Sequence, residues 1–353
     1  MLAYLLRRLL LTLPTLLGVL LLTFVVLQFV PGGPVEQYLM EAKAGSVAGL
    51  RGGSGSAGGM GAEGGSIYQG QRGVDPQRLA QIKELYGFDQ PAPQRFLKML
   101  GQFARFDLGQ SFFHHQPVWE LIKSKLPVSI TLGLWTFFLS YLISIPLGIL
   151  KALRAGSRFD AASTALVLVG VAIPGFVMGV LLLVLLAGQL QWFPLRGLTS
   201  ANFADLSAWG KVKDYLWHIT LPVGASVLGS FAFTTLLTKN SFLEEIHKHY
   251  VRTARAKGLS ERRIAWRHVL RNAMIPIVVG FPSAFIAAFF ADALLIETLF
   301  SLDGLGLLSY ESVIRRDYPV VMGTLFLFTL IGLVMNIVSD VVYVWVDPRV
   351  RLA

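Results

Sequence analysis

Two acidic side chains inside otherwise apolar stretches are the strongest candidates for chemistry in this sequence. Asp292 lies near the end of one stretch, and Asp340 follows Asn336 by four residues in another. That spacing places Asn336 and Asp340 on one face of a helix. An ionised carboxylate at membrane depth is costly and normally faces protein or water. The pattern predicts either a structural polar clamp or groups that line a pathway or gate at Asp292, Asn336 and Asp340.

Other reactive groups are absent from the sequence or poorly placed in it. The chain has no cysteine, no G-x-x-x-x-G-K-[ST] phosphate loop and no H-E-x-x-H motif. All six histidines lie outside the apolar stretches, and His247 and His249 sit in a basic loop that disfavours a metal ion. We therefore predict no catalytic residue and no metal site.

The composition places the candidate acids in a membrane protein. Of 353 residues, 54% are hydrophobic and only 15% are charged, against about 25% charged in soluble domains. Six stretches are long and apolar enough to cross a bilayer as helices. The sequence thus predicts an all-α polytopic protein whose six spans lie within 9–30, 128–150, 161–187, 219–238, 273–296 and 320–346.

The distribution of the net charge of +10 predicts how the chain is oriented in the membrane. With both termini in the cytoplasm, the 59 inner residues carry 16 Lys and Arg and a net charge of +11. The 151 outer residues then carry 15 Lys and Arg and a net charge of +1. Because Lys and Arg concentrate on the cytoplasmic side, we predict cytoplasmic termini. The basic excess then requires no nucleic-acid partner.

The chain is predicted to divide into three regions. Residues 1–30 form an anchor helix, 31–127 an outer segment, and 128–353 the membrane core. The outer segment contains a Gly-rich insert, 45–73, whose composition is typical of a flexible linker. Amphipathic spacing over 94–103 predicts a helix in a small outer subdomain, which is either a scaffold or a docking surface.

The cytoplasmic loop 239–272 holds 9 of the 16 inner Lys and Arg residues. A helix over 242–256, a break at Gly258 and an N-cap at Ser260 predict a helical hairpin. Such a basic hairpin either lies on anionic lipid or docks a partner, and the residues favour neither. Its second helix is predicted to present Arg263, Arg267 and Arg271 on one face. Apolar material in that helix comes from Ile264, Trp266, Val269 and Leu270.

The segment 250–263, Tyr-Val-Arg-Thr-Ala-Arg-Ala-Lys-Gly-Leu-Ser-Glu-Arg-Arg, resembles the coupling loop of binding-protein-dependent ABC importers. More narrowly, it resembles the loop of oligopeptide and dipeptide permeases. Other motifs of that family occur along the whole chain: Pro31-Gly-Gly-Pro34, Asp107-Leu-Gly-Gln-Ser111, Leu126-Pro-Val-Ser129, Phe300-Ser-Leu-Asp-Gly-Leu-Gly306, Arg316-Asp-Tyr-Pro319 and Asp347-Pro-Arg349. The Gly-rich insert and the stretch 193–198 resemble the branch associated with microcin C and oligopeptide uptake.

The resemblance implies a type I ABC importer permease fold in a bacterial inner membrane. It also implies a heterodimer with a second related permease, two ABC ATPase subunits or one fused dimer, a periplasmic peptide-binding protein and a peptide substrate. ATP and Mg would be bound by the ATPase partners, and this chain would hold no cofactor. The implied ATPase-coupling residues are Arg252, Thr253, Ala254, Arg255, Ala256, Lys257, Gly258, Leu259 and Ser260. In the importer motif E-A-A-x-x-x-G, Arg252 and Thr253 replace Glu and Ala, whereas Ala254 and Gly258 are retained.

A different class of protein stays open on the residues alone. An autonomous proton-coupled transporter could use Asp292 and Asp340 as proton carriers. Dependence of uptake on ATP or on a proton gradient separates the two hypotheses.

Overall fold

The computed structural model describes residues 2–29, 90–290 and 293–346. Across these ranges the chain is built from helices joined by turns and by two longer connections, 104–117 and 190–207, and no β-strand is formed there. The predicted all-α class is confirmed.

The helices are numbered in chain order. They are α1 (Leu2–Phe29), α2 (Ala92–Phe103), α3 (Val118–Leu153), α4 (Arg158–Ala172), α5 (Gly175–Leu182, continued by a π-helical segment Leu183–Gln189), α6 (Ala208–Ile246), α7 (His249–Ala256), α8 (261–273), α9 (Ile275–Phe290), α10 (Ala293–Leu299), α11 (Leu305–Arg315) and α12 (Tyr318–Val346). Helix α8 consists of Glu261–Arg263, a π-helical segment Ile264–Val269 and Leu270–Ala273. A 3-10 turn, Phe203–Asp205, lies between α5 and α6.

Five segments of the described chain are long and apolar enough to cross a membrane. The bent pair α4 and α5 makes a sixth when it is counted as one span, as predicted. Helices α3 and α6 have 36 and 39 residues, more than the roughly 20 that a bilayer requires. Both therefore continue past the apolar stretches 128–150 and 219–238. The five segments are Leu6–Phe29, Val118–Leu153, Ala208–Ile246, Ile275–Leu299 and Tyr318–Val346.

The stretch 161–187 does not form one straight helix, which corrects the simple span that its composition predicts. Helix α4 ends at Ala172, and the pair bends by 96° before α5 continues. Pro174 lacks an N–H group and disfavours helical backbone in the residue before it. Accordingly Ile173 is extended, with φ −99° and ψ 116°.

The chain divides into two compact units. The larger unit comprises Met1–Leu16, Ile122–Tyr310 and Leu327–Ala353. Its main apolar core gathers side chains from α3, α4, α6 and α10, with Leu132, Val167, Ala225, Phe231 and Ile296 among the buried members.

The smaller unit comprises Leu17–Leu121 and Glu311–Phe326. It contains α2, which confirms the helix predicted over 94–103. The buried Asp317 carboxylate accepts hydrogen bonds from Ser111 Oγ at 2.5 Å and from the Phe112 N–H at 3.1 Å. Two distant family motifs therefore meet inside this unit. The insert 45–73 lies outside the described residues, and the division into 1–30, 31–127 and 128–353 stays a prediction.

Candidate functional site

Helix α7 of the predicted coupling loop has one buried face and one exposed face. Val251 and Ala254 are 0% and 7% exposed and belong to a core cluster with Ile149 of α3 and Phe242 of α6. The opposite side of the helix exposes Arg252, Thr253, Arg255 and Ala256. The helix is thus anchored to two membrane helices through small apolar side chains, and its opposite side is exposed.

The helix predicted over 242–256 is wrong in one respect, because the chain breaks between α6 and α7. Helix α6 ends at Ile246, and Lys248 adopts the extended backbone of an N-cap. Glu245 stabilises this break, since it pairs with the Lys248 ammonium and accepts a hydrogen bond from Tyr250 Oη at 2.8 Å. The hydrogen bond to Glu245 raises the pKa of Lys248 above its ordinary value. Because of this break, α7 does not continue along the axis of α6.

Gly258 forms the predicted turn after α7, and its geometry explains why glycine stands there. Its φ of +76° lies in the left-handed region that other residues rarely adopt. The Leu259 N–H bonds Ala254 O at 3.3 Å, and the Gly258 N–H bonds Arg255 O at 2.9 Å. These two bonds define a Schellman motif, which satisfies carbonyls at the end of a helix.

The turn is also closed on its exposed side by an ion pair. Arg255 donates two hydrogen bonds to Glu261, at 2.7 and 3.0 Å. These bonds lower the pKa of Glu261 and raise that of Arg255. Ser260 occupies the predicted N-cap position of α8, but its side chain makes no capping hydrogen bond. The salt bridge across Gly258 thus joins the two helices where a serine cap was predicted.

Of the apolar residues of helix α8, Ile264 and Val269 are buried, whereas Trp266 is 58% exposed. The π-helical segment 264–269 changes the angular position of each following side chain relative to a regular α-helix, which the sequence pattern does not reveal. Trp266 instead contributes to a shallow surface cavity of about 420 Å³ with Ser260, Arg262, Arg263 and Arg267. Within α7, α8 and the turn between them, seven cationic side chains are exposed beside one exposed carboxylate, that of Glu261. The seven are Arg252, Arg255, Lys257, Arg262, Arg263, Arg267 and Arg271.

The predicted polar residues of the last span are only partly brought together. Asp340 of α12 forms an ion pair with Arg8 of α1 and accepts a hydrogen bond from Tyr4 Oη at 3.2 Å. Arg8 Nη1 in turn donates to Tyr4 Oη at 2.8 Å. Asn336 is exposed, and Asp292 lies outside the described residues. Asp340 is therefore clamped between the ends of two helices.

Sequence reasoning missed a buried cluster of charged side chains formed by α3, α4 and α6. Lys151 of α3 is 0% exposed, and its ammonium bonds Ser163 Oγ at 2.9 Å and Thr164 Oγ1 at 2.6 Å. Lys239 of α6 binds both oxygens of Asp160, at 2.7 and 2.9 Å, and Lys151 lies 3.1 Å from Asp160 Oδ1. The cluster ties α3, α4 and α6 together. Its only sequence signal is that three charges flank apolar stretches.

A second missed residue is Glu297, a fully buried carboxylate at the end of α10. It accepts a hydrogen bond from Ser129 Oγ at 3.1 Å and one from the Leu307 N–H at 2.7 Å. Ser129 Oγ also accepts the Leu305 N–H at 2.8 Å. Glu297 and Ser129 therefore hold the start of α11, and a Cβ at Gly304 would overlap the carboxylate. The motif that contains Ser129 and the motif that contains Gly304 therefore meet around the Glu297 carboxylate.

Comparison with known proteins agrees with this arrangement. A family model described as "Binding-protein-dependent transport system inner membrane component" matches residues 144–352. The peptidoglycan transport system permease protein YejB of Agrobacterium fabrum is 53% identical over 99% of this chain and 98% of its own length. The oligopeptide transport system permease protein AppB of Bacillus subtilis is 33% identical over 99% of this chain and 100% of its own length.

A solved chain of the MetNI methionine ABC transporter shares the fold. Its TM-score is 0.50 at 17% identity, over 65% of this chain and 97% of that chain. At this identity the likeness supports the predicted type I permease fold and nothing about substrate. Because the family model matches more than half of the chain and its YejB relative aligns almost end to end, the chain belongs to the binding-protein-dependent inner-membrane components, as a permease subunit of an ABC importer.

Proposed function

We propose that this chain is one of two permease subunits in an ATP-driven peptide importer and forms half of its translocation pathway. The observation that carries the proposal is the hairpin of α7 and α8. Its buried face is anchored on α3 and α6, and its exposed face presents seven cationic side chains, which the charge asymmetry of the chain supports placing in the cytoplasm. In a chain of this family, such a hairpin fits an ATPase docking element better than a lipid anchor.

The names of the relatives have in common substrates that contain peptide bonds. One relative is named for oligopeptide transport and another for peptidoglycan transport, and both kinds of substrate contain amino acids in amide linkage. The resemblance of the insert 45–73 and of 193–198 to one branch extends the proposal to microcin C-like peptide antibiotics.

The remaining partners follow from the family. A second, related permease would complete the pathway as a heterodimer, two ATPase subunits or one fused dimer would bind ATP and Mg, and a periplasmic binding protein would deliver peptide. This chain would hold no cofactor. The +11 net charge of its inner segments supports cytoplasmic termini.

The packing of the hairpin suggests how ATPase movement would enter the membrane. A shift of α7 displaces Val251 and Ala254, which lie against Ile149 and Phe242. Close-packed interiors transmit such displacements because they have low compressibility. Asp160, held by Lys151 and Lys239, then makes α4 move with α3 and α6. The coupling role of residues 252–260 is part of this proposal.

Purification and transport together test the function. The chain, extracted from its host membrane in mild detergent, should retain an ABC ATPase, and proteoliposomes of the complex should take up labelled tetra-alanine when ATP is supplied. Failure to retain an ATPase, or uptake without ATP, would overturn the proposal.

The same assay separates the proton-coupled alternative. Asp340 forms an ion pair with Arg8 and accepts a hydrogen bond from Tyr4, so its carboxylate is engaged by groups of the chain itself. A protonophore should therefore leave ATP-driven uptake unchanged, and the variant Asp340→Asn should retain ATP dependence. Uptake that persists without ATP and collapses with the proton gradient would favour the alternative.

A further inference from the structure

The shallow cavity of about 420 Å³ on α8 combines positive charge with an exposed aromatic ring. Its lining residues are Ser260, Arg262, Arg263, Trp266 and Arg267. All five are exposed, and Trp266 keeps 58% of its surface accessible. Covering an indole ring of this kind removes apolar surface from water, which is favourable. The cavity therefore suits a partner that offers both negative charge and apolar surface.

The three guanidinium groups of the cavity are not neutralised by the chain itself. Among the residues that the structure describes, no carboxylate pairs with Arg262, Arg263 or Arg267. The neighbouring acid in the sequence, Glu261, is engaged by Arg255 at 2.7 and 3.0 Å. Like charges four residues apart on a helix repel one another, and a bound anion removes that repulsion. The cavity thus favours an anionic guest.

The packing of α8 places the cavity at the edge of the membrane. Ile264 and Ala265, on the buried side of the helix, belong to the same core cluster as Ile149 and Ala152 of α3. Ile149 lies at the end of the apolar stretch 128–150. Because the cavity occupies the exposed side of the same turns of α8, it stands where the hydrocarbon of a bilayer gives way to lipid headgroups.

The short chain between the cavity and the next membrane helix agrees with this position. Arg267 precedes Ile275 by eight positions, and the apolar segment Ile275–Leu299 begins there. At the helical rise this separation is about 12 Å. Arginine side chains bury their stems along apolar surface and extend their charged ends toward the interface. The guanidinium groups can therefore reach lipid phosphates from α8.

We propose that this cavity binds the headgroup of an anionic phospholipid in the adjacent leaflet, with Arg263 and Arg267 as its phosphate ligands and Trp266 against the apolar boundary. A guanidinium donates paired hydrogen bonds to phosphate oxygens, and tryptophan favours the boundary between hydrocarbon and water. The site goes beyond the proposed function, because lipid binding requires neither a peptide nor an ATPase. It assigns the exposed face of α8 to the membrane surface and leaves residues 252–258 to the ATPase.

The first test counts the lipid molecules bound to the full chain. The chain is purified in a nonionic detergent and titrated with dioleoyl phosphatidylglycerol, and native mass spectrometry resolves the lipid adducts. In the variant Arg263→Gln/Arg267→Gln, the affinity of one phosphatidylglycerol site should fall about tenfold to thirtyfold, the usual contribution of two basic residues at an anionic lipid surface.

The variant Arg252→Gln/Lys257→Gln is the matched control. It removes two exposed charges from the same hairpin, at positions that do not line the cavity. Its affinity for phosphatidylglycerol should stay within about twofold of the wild type, because salt screens charges outside the site. The zwitterionic dioleoyl phosphatidylcholine should bind equally to all three proteins. Equal losses in the two double variants, or wild-type affinity in Arg263→Gln/Arg267→Gln, would overturn the site.

The second test measures depth and uses the absence of cysteine from the chain. The chain is placed in nanodiscs of mixed phosphatidylcholine and phosphatidylglycerol. A nitroxide attached to the variant Trp266→Cys should be relaxed more by oxygen dissolved in the lipid than by a water-soluble nickel chelate. A nitroxide attached to Lys257→Cys, in the exposed turn before α8, should show the reverse order. Two labels that behave alike would refute the lipid contact, even if the arginine variants fold poorly.

Retention of the ATPase decides between a lipid and a protein partner. The ATPase that the wild type retains in mild detergent should stay bound to Arg263→Gln/Arg267→Gln. If this variant loses the ATPase and binds phosphatidylglycerol as the wild type does, the cavity belongs to the docking surface and the lipid site is refuted. If the wild type retains no ATPase, the proposed function fails, whereas the lipid measurements on the full chain still decide the site.

Discussion

Two turns of the larger unit each combine a glycine with a glutamate, but the two residues play different structural roles in each turn. At the α7–α8 hairpin, Gly258 supplies a positive φ and Glu261 lies exposed beside Arg255. At the α10–α11 turn, Gly304 supplies space and the buried Glu297 accepts hydrogen bonds from Ser129 and the backbone.

The difference lies in what replaces each interaction when it is lost. Water can solvate Glu261 and Arg255, so their separation leaves no group unsatisfied. No water reaches Glu297, which is 0% exposed, and its donors would be left unpaired in a medium of low dielectric constant. The buried turn should therefore govern stability, whereas the exposed turn governs the shape that a partner meets.

The largest expected effect on stability is that of Glu297→Ala. Each buried donor that loses its acceptor costs about 1–3 kcal/mol, and the Leu307 N–H and Ser129 hydroxyl both lose theirs. Thermal unfolding in detergent should show a large fall in Tm, while Glu297→Gln, which keeps an acceptor oxygen, should lose less. Equal losses in the two variants would contradict the assigned role of the carboxylate.

Gly304→Ala should come next, because its Cβ would overlap the Glu297 carboxylate. Forced overpacking of this kind costs about 1–3 kcal/mol, which thermal unfolding detects. Gly332→Ala is a suitable control, since nothing lies within 4 Å of a Cβ at that helical position. Its Tm should stay level or rise, and a fall equal to that of Gly304→Ala would remove the steric explanation.

Gly258→Pro should affect coupling more than stability. Proline fixes φ near −65° and removes the N–H that bonds Arg255 O, so the direction from α7 into α8 must change. We expect a normal amount of protein in the membrane and at least a tenfold loss of peptide-stimulated ATPase activity in the assembled complex.

Gly258→Ala tests the effect of the left-handed backbone at this position separately from any steric clash. Nothing lies within 4 Å of a Cβ there, so the cost is the left-handed backbone alone, about 1–2 kcal/mol. Its coupling should stay close to that of the wild type. Normal peptide-stimulated activity in Gly258→Pro would refute the role of the hairpin.

The two turns also show which features can be predicted from sequence. The Gly258 turn was predictable because its determinants are local, namely a helical pattern that ends at glycine in a polar setting. The α10–α11 turn was not, because the partner Ser129 lies 168 residues from Glu297. Hydrophobic periodicity also does not reveal the exposure of Trp266 or the break before Lys248. The first depends on a π-helical segment and the second on the contacts of Glu245 with Lys248 and Tyr250.

The smallest expected effect belongs to Glu261→Gln, and its pH dependence is the sharpest check on the comparison. Arg255 lowers the pKa of Glu261 in the folded chain, so the stabilisation is present above the ordinary glutamate pKa of about 4.3. It is lost as the pH falls through the lowered folded value. The Tm difference between wild type and Glu261→Gln should therefore be small and constant from about pH 8 to 5, and vanish in more acidic buffer. In the background Arg255→Gln the same substitution should have no effect at any pH. A difference that persists in strong acid, or one as large as that of Glu297→Ala, would show that Glu261 has a buried partner and that the two turns do not differ as described.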